Sequence, residues 1–319
     1  MSRLLTIGES MGVAVTQLGD PLRTARELRL STAGAESTVA IGLRRLDHEA
    51  VWVGVVGQDE LGGRVLRDLA AEGVDTRFAR VDPERPTGFM IRELRTADYT
   101  CVNYYRERSA GSRLSPADVE AAFASNQHFD LVHLTGITPA LSESCAQAVR
   151  SLVDSAGRAR IPVSFDVNYR STLPGSAGAA AFVKELLAEI DLLFVGDDEL
   201  ALVTDETDPL RAARELVARG IAEVVVKRGA EGALAITADG AVAEQPALPV
   251  RVVDTIGAGD SFTAGYLAAR CDGLALTERL RWGAVAAACT VGTHGDWEGL
   301  PTRADLLRRA GGAGSVTVR

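Results

Sequence analysis

Lysine is almost missing from this 319-residue chain: Lys184 and Lys227 are its two lysines, and every other basic side chain apart from four histidines is arginine. Neither lysine lies in a G-x-x-x-x-G-K-[ST] pattern, which excludes a P-loop as the means of holding nucleotide phosphates. Cysteine is scarce too. Cys101, Cys145, Cys271 and Cys289 form no C-x-x-C pair and have no histidine at metal-finger spacing, so they read as incidental thiols in a reducing compartment. No apolar run approaches the ~20 residues of a membrane span. The start, Met1-Ser-Arg-Leu-Leu-Thr-Ile-Gly8, enters a strand pattern directly, without an apolar leader or a small-residue cleavage site. A cytoplasmic protein without a membrane partner is expected. Positive charge is in deficit, with a net charge of -9 and a pI near 5.1, which argues against a nucleic-acid partner. An anionic ligand would have to be held locally, by a few placed arginines and backbone N–H groups.

What is present is the material of an ordinary α/β protein. Short apolar, β-branched runs (Leu4–Ile7, Val51–Val56, Leu131–Leu134, Val163–Phe165, Leu192–Val195, Val224–Val226) alternate with amphipathic stretches (Ser37–Leu46, Leu61–Glu72, Ser142–Ser155, Ala179–Ile190, Pro209–Ala218). This alternation predicts βαβ units and a largely parallel sheet with helices on both faces, in one main domain. Residues 11–32 and 86–107 break the pattern, reading as strands without helices between them (Val13–Gln17, Leu28–Ser31, Gly88–Glu93, Tyr99–Arg106). A small sheet made by two such excursions suits a lid that excludes water; a pair of surface hairpins has the same pattern.

The segment Asp254-Thr-Ile-Gly-Ala-Gly-Asp-Ser-Phe-Thr-Ala-Gly265 follows an expected strand (Val250–Val253) and opens an expected helix over roughly 258–270, with a second at 276–291. Gly257 and Gly259 let the backbone approach a ligand, and the helix aims its first N–H groups and positive dipole end at the same spot. Geometry alone equally allows a plain strand–helix connector. The acid just beyond the glycines favours the anion site, because Asp260 would stand where a kinase needs a base to accept a proton from an attacking hydroxyl. A first-turn acid complementing the helix dipole is its ordinary alternative.

That segment resembles the C-terminal signature of the ribokinase (PfkB-type) sugar kinases, and Gly34-Ala-Glu-Ser-Thr-Val-Ala40 resembles their N-terminal one. Four further segments resemble the 2-keto-3-deoxygluconate kinase branch: Asn103-Tyr-Tyr-Arg106, His133-Leu-Thr-Gly-Ile-Thr-Pro-Ala-Leu-Ser142, Asp166-Val-Asn-Tyr-Arg170 and Gly295-Asp-Trp-Glu-Gly-Leu-Pro301. The resemblance implies a ribokinase-like fold with a β lid, ATP and Mg²⁺, a monovalent cation, and a homo-oligomer formed through lid sheets. It makes Asp260 the base and Gly257, Ala258 and Gly259 the anion-hole amides, with Thr255 near the phosphate path. Lys227, Gly229 and Gly232 fall on the nucleotide side, and His294 falls where the family closes over adenine. Gly34, Thr38, Met90, Tyr104, Arg106 and Arg170 fall on the sugar side. The two arginines suit the carboxylate of a sugar acid, which a guanidinium can bind through two hydrogen bonds. Glu199, in Gly196-Asp-Asp-Glu199, resembles the family's N-x-x-E motif, whose Glu organises Mg²⁺ through water.

The departures cluster on the sugar side. The first signature has Ala33-Gly34 in place of two glycines, Thr38 stands for an asparagine, Met90 for an aromatic and Pro174 for a tryptophan, while Gly196 replaces the asparagine of N-x-x-E. Phosphoryl transfer to 2-keto-3-deoxygluconate is the reading these motifs favour. The alternatives are a kinase of the same family acting on a ketohexose, pentose or nucleoside, and a non-catalytic sugar sensor. A dinucleotide-dependent oxidoreductase is disfavoured, because Gly8-Glu-Ser-Met-Gly12 is no G-x-G-x-x-G.

Overall fold

A computed structural model describes residues 1–311, apart from 97, 98, 126, 174 and 175; Pro174 therefore lies outside the described residues. The strands β1 to β14 are Arg3–Ile7, Met11–Val15, Arg29–Ala33, Glu49–Val53, Val55–Gly57, Arg80–Asp82, Phe89–Thr96, Tyr99–Tyr105, Leu131–Thr135, Val163–Asp166, Leu192–Gly196, Glu223–Lys227, Ala233–Thr237 and Val242–Gln245. The helices α1 to α9 are Ala35–Arg45, Glu60–Ala71, Pro116–Ala124, Glu143–Ala159, Ser176–Leu186, Pro209–Ala218, Ala258–Cys271, Leu276–Val291 and Arg303–Ala310.

Eight strands form the main sheet in the order β14-β13-β12-β11-β10-β9-β1-β4, parallel except for the antiparallel pairings of β13 and β14. Both faces are buried, which is why its strands are continuous apolar runs. Successive residues divide between two cores: Leu193, Val195, Val224 and Val226 join the core under α3 to α6, while Leu192, Phe194 and Val225 join the core under α1, α7, α8 and α9. The two excursions come together as a separate four-stranded sheet, β3-β2-β7-β8, in which β2 and β7 run parallel and the outer pairs antiparallel. The lid expected from the sequence is thus one sheet and not two independent hairpins.

Most helix starts away from the cleft carry a polar cap, although α8 begins at Ala275 without one. Asp59, Ser142, Asp208 and Thr302 each cap a helix with a side-chain oxygen (α2, α4, α6 and α9), and at the start of α3 the Asp118 carboxylate accepts from Ser115 N and Oγ at 2.9 and 2.8 Å. Helices α1 and α7 begin instead at Gly34 and Gly257, which have no side chain to cap with. Glycine offers no side-chain acceptor to their first-turn N–H groups, of which Ala258 N makes a long 3.4 Å bond to the Thr255 carbonyl.

One local expectation fails. Residues 250–253 are irregular backbone, not a strand, with Val252 exposed. The segment is tied to the end of α8 instead, where Val253 N and Asp254 N both donate to the Val291 carbonyl at 2.8 and 3.2 Å. Among the described residues no helix is long and apolar enough to cross a membrane.

Candidate active site

The loop after Asp254 turns into α7 through Gly257, whose φ of 77° is left-handed. A side chain there would also collide with the backbone, since a Cβ would lie 2.3 Å from the Asp296 carbonyl oxygen. Glycine is required at this position on both counts. Ala258, Gly259 and Asp260 then form the first turn of α7, so the Asp260 carboxylate and the uncapped N–H groups share one end of the helix.

Asp260 sits in a charged neighbourhood built from the carboxyl ends of β10, β11 and β12. Its Oδ1 accepts a 2.8 Å hydrogen bond from Asn168 Nδ2. Asn168 holds a left-handed φ of 37°, a conformation asparagine tolerates better than most residues. Asp166, two residues earlier, is buried and takes both bonds of Lys227 Nζ, at 2.8 and 2.6 Å, and one from Thr263 Oγ1 at 3.1 Å. Burial and the negative charge of Asp166 push the Asp260 carboxyl up to about 7, against the opposing pull of Lys227 and Arg170. An acid titrating there is poised for proton transfer at neutral pH.

Glu199 holds the rim of this group together. Its Oε1 accepts from Tyr169 N at 2.6 Å and its Oε2 from Gly196 N at 2.8 Å, so the loops after β10 and β11 are joined through one carboxylate. Gly196 supplies the bond through its backbone N–H, so the departure at this position leaves that contact intact. Burial and the nearby Asp166 raise the Glu199 pKa.

A narrow cleft under the lid brings Gly34, Met90, Tyr104, Arg106 and Arg170 together with Gly257 and Asp260. These come from α1, β7, β8, the loop after β10 and α7, so only the folded chain assembles them. Arg106 is clamped: its Nε donates to Glu9 Oε2 at 2.8 Å and its Nη2 lies 2.5 Å from the same oxygen. Ser109 Oγ bonds the other Glu9 oxygen, and the Tyr104 ring lies 5.6 Å from the guanidinium carbon. Arg170 is exposed and lines the cleft; its Nη1 donates a long 3.4 Å bond to the Tyr169 carbonyl. Glu36 also lines the cleft, accepting from Thr135 and Thr138 at 2.7 and 2.6 Å. Burial, its dominant influence, raises its pKa.

Other expected site residues stand elsewhere. Thr38 is fully buried in α1 and does not reach the cleft surface; its Oγ1 has no hydrogen bond among the described residues. Thr255 and Gly229 are exposed, and Gly232, with a φ of 96°, packs against residues 245–247. Lys227 lies inside, bonded to Asp166 beside Asp260, and not out on the turn with Gly229. His294 is brought to the lid: it lines a cavity of about 420 Å³ between the loop 294–298 and β2, β3 and β7, whose lining includes neither Gly229 nor Gly232. Asp260 lies outside this cavity. Between it and the cleft stands Arg92, fully buried, bonded through Nη1 to Asp254 Oδ2 at 3.2 Å and through Nη2 to Asp296 Oδ1.

The pfkB family carbohydrate kinase profile matches residues 1–303. The chain belongs to that family. This kinase is 34% identical over 304 residues to the 2-dehydro-3-deoxygluconokinase of Bacillus subtilis (strain 168), covering 95% of this chain and 93% of that one. It is 33% identical over 316 residues to the 2-dehydro-3-deoxygalactonokinase of Haloferax volcanii, covering 98% of each. Among solved structures it resembles an E. coli protein named Ribokinase II, in complex with ATP and Mg²⁺, with a TM-score of 0.88 and 25% identity, covering 96% of this chain and 98% of that one. The ribokinase-like fold expected from the signatures is therefore the fold present, and the protein is a phosphotransferase acting on a sugar hydroxyl.

Reading residue by residue missed Glu9, Glu36, Arg92, Asp166 and Asn168. A signal existed for three of them, since Glu36 stands in the Gly34–Ala40 segment and Asp166 and Asn168 in the Asp166-Val-Asn-Tyr-Arg170 segment. Arg92 and Glu9 gave none, because their partners lie far away in sequence.

Proposed function

We propose that this kinase transfers the γ-phosphoryl group of ATP to the terminal hydroxyl of 2-keto-3-deoxygluconate, the compound also called 2-dehydro-3-deoxygluconate. The observation that carries the reading is the cleft in which Arg106 and Arg170 face the Asp260 end of α7. A sugar acid lying across it would put its carboxylate against the guanidinium groups and its far hydroxyl toward Asp260. Glu9 fixes Arg106 in orientation and offsets its charge, which leaves Arg170 as the principal attraction for the carboxylate.

In this reading Asn168 holds Oδ1 of Asp260 and leaves Oδ2 to take the proton of the terminal hydroxyl. The hydroxyl oxygen attacks the γ-phosphorus, the bond to the β-phosphate oxygen breaks, and ADP leaves. The N–H groups of Gly257, Ala258, Gly259 and Asp260 face the transferring group, where fixed dipoles act strongly in a closed, dry site. Gly229 and Gly232 flank the nucleotide, with Thr255 at the outer edge of the phosphate path. Thr38 contributes packing beneath the sugar site, and Gly34 and Met90 shape its wall.

Mg²⁺ neutralises charge on the phosphates when bound. No group of three or more His, Cys, Asp or Glu side chains that could hold a metal ion occurs among the described residues. Mg²⁺ commonly keeps most of its waters and takes one or two carboxylates beside the phosphates, and Glu199 fits that role through water. A monovalent cation does not fit beside the turn, because the paired carboxylates there, Asp254 and Asp296, are filled by Arg92. The reading includes one kinase domain over residues 1–319 with lid strands from 11–32 and 86–107, a cytoplasmic location, and a homo-oligomer through the lid sheet.

The test is a phosphorylation screen with Mg·ATP over 2-keto-3-deoxygluconate, its galactonate epimer, and neutral ketohexoses and pentoses. Turnover on the sugar acids is expected. Turnover confined to neutral sugars would overturn the acceptor and leave the phosphoryl-transfer chemistry standing.

A further inference from the structure

We propose that Arg92 is a built-in cation that couples the lid to the anion-hole turn, so that this kinase assembles the turn without a monovalent cation. The proposal rests on the phosphoryl-transfer reading above and adds a positioning residue to it.

Arg92 lies in the middle of β7, with its side chain on the same lid face as Met90 two residues earlier. Its backbone is fixed in the sheet: it pairs with Val15 of β2, and its carbonyl accepts from Thr16 N at 3.0 Å. Met90 lines the substrate cleft, while Arg92 and Asp296 border both that cleft and the larger cavity, so the ion pair is the wall between them. The guanidinium therefore moves with the lid strand that touches the sugar.

Its two carboxylate partners hold the two sides of the turn. Asp254 opens it, taking Arg92 on Oδ2 and the Ile256 N–H on Oδ1 at 3.0 Å. Asp296 closes it, because its carbonyl is the group packed against Cα of Gly257. The loop carrying Asp296 is also attached to β3, through Glu298 to Ser31 Oγ at 2.5 Å and Trp297 Nε1 to the Thr32 carbonyl at 2.9 Å. A lid displaced from this position would withdraw the charge that keeps Asp254 and Asp296 together. The turn that presents the Gly257–Asp260 amides would then lose its brace. Two carboxylates this close, one buried and the other largely so, require a cation, and a side chain of the lid supplies it.

The experiment uses the full-length protein and the acceptor that the wild type phosphorylates. Wild-type turnover in tetramethylammonium chloride should stay within about twofold of turnover in 100 mM KCl or NaCl, and KCl should not move the melting temperature of the protein alone. Arg92→Met should lose about tenfold or more in kcat with KM for ATP changed less than about threefold, the split of a group acting on the transition state. K⁺ should restore part of that rate and raise the melting temperature of Arg92→Met. Arg92→Lys, which keeps the charge and is chosen to fold, should fall between the two. A wild type that needs K⁺, or an Arg92→Met with unchanged kcat, would overturn the proposal. Loss of turnover in Asp260→Asn is independent of these results, so failure here leaves the phosphoryl-transfer reading separately testable.

Discussion

Asn168 donates from Nδ2 to Oδ1 of Asp260 at 2.8 Å, across 92 residues of sequence, from a backbone conformation that few side chains adopt willingly. Among the described residues Oδ1 is the oxygen of Asp260 that takes a hydrogen bond, so the bond sets the two carboxylate oxygens apart.

Asn168→Ala should therefore reduce kcat by about tenfold while leaving KM for ATP nearly unchanged, since the base is kept but no longer aimed. The left-handed backbone should also cost alanine about 1 kcal/mol of stability. Steady-state kinetics and a thermal melt measure the two effects separately.

The pH–rate profile should carry the signature of Asp260. With its carboxyl pushed up to about 7, kcat/KM should fall as pH drops through about 7, because only the ionised form accepts the proton. Lys227→Met removes a nearby positive charge that favours ionisation, so the acid limb should move to higher pH. The same variant strands buried Asp166, and a loss on the order of 3–5 kcal/mol is expected in denaturant unfolding.

Stability should depend on the same group in the opposite sense. In the unfolded chain Asp260 titrates near 4, so the folded state binds this proton more tightly. The stability it confers is full below about pH 4 and is lost as pH rises to about 7. Asp260→Asn, which never ionises, should melt above the wild type at pH 8, and the difference should vanish below about pH 4. Melting curves of the two proteins over that range decide the matter.

The arginines should separate by partner. Arg170→Ala should lower kcat/KM for a sugar acid by about 10–100-fold, the worth of a charge-assisted contact, and barely affect a neutral acceptor. Arg106→Ala should lose acid turnover and also stability, because Glu9 would be left buried without its cation. Glu9→Gln should restore the stability of that variant without restoring its turnover.

Legibility in the sequence followed the range of the interactions. The main sheet could be read because both of its faces are apolar and its strands are short continuous runs, as at Leu192–Gly196 and Glu223–Lys227. The turn into α7 could be read because glycine spacing and a first-turn acid are local features. Residues 250–253 misled, since their β-branched composition is that of a strand while their hydrogen bonds go to the end of α8. The place of His294 beside the lid could not be read, because a loop position says nothing of what the loop packs against. Arg92, Glu9 and Asn168 owe their roles to partners 97 to 204 residues away in the first two cases and 92 in the third, distances at which no spacing rule applies.

The central claim is that Asp260 takes the proton of the acceptor hydroxyl. The most direct measurement is the turnover of Asp260→Asn with Mg·ATP and 2-keto-3-deoxygluconate, alongside binding of both substrates. Roughly a 10²–10⁴-fold loss of kcat with little change in binding is predicted; near-normal turnover by a correctly folded Asp260→Asn would contradict it.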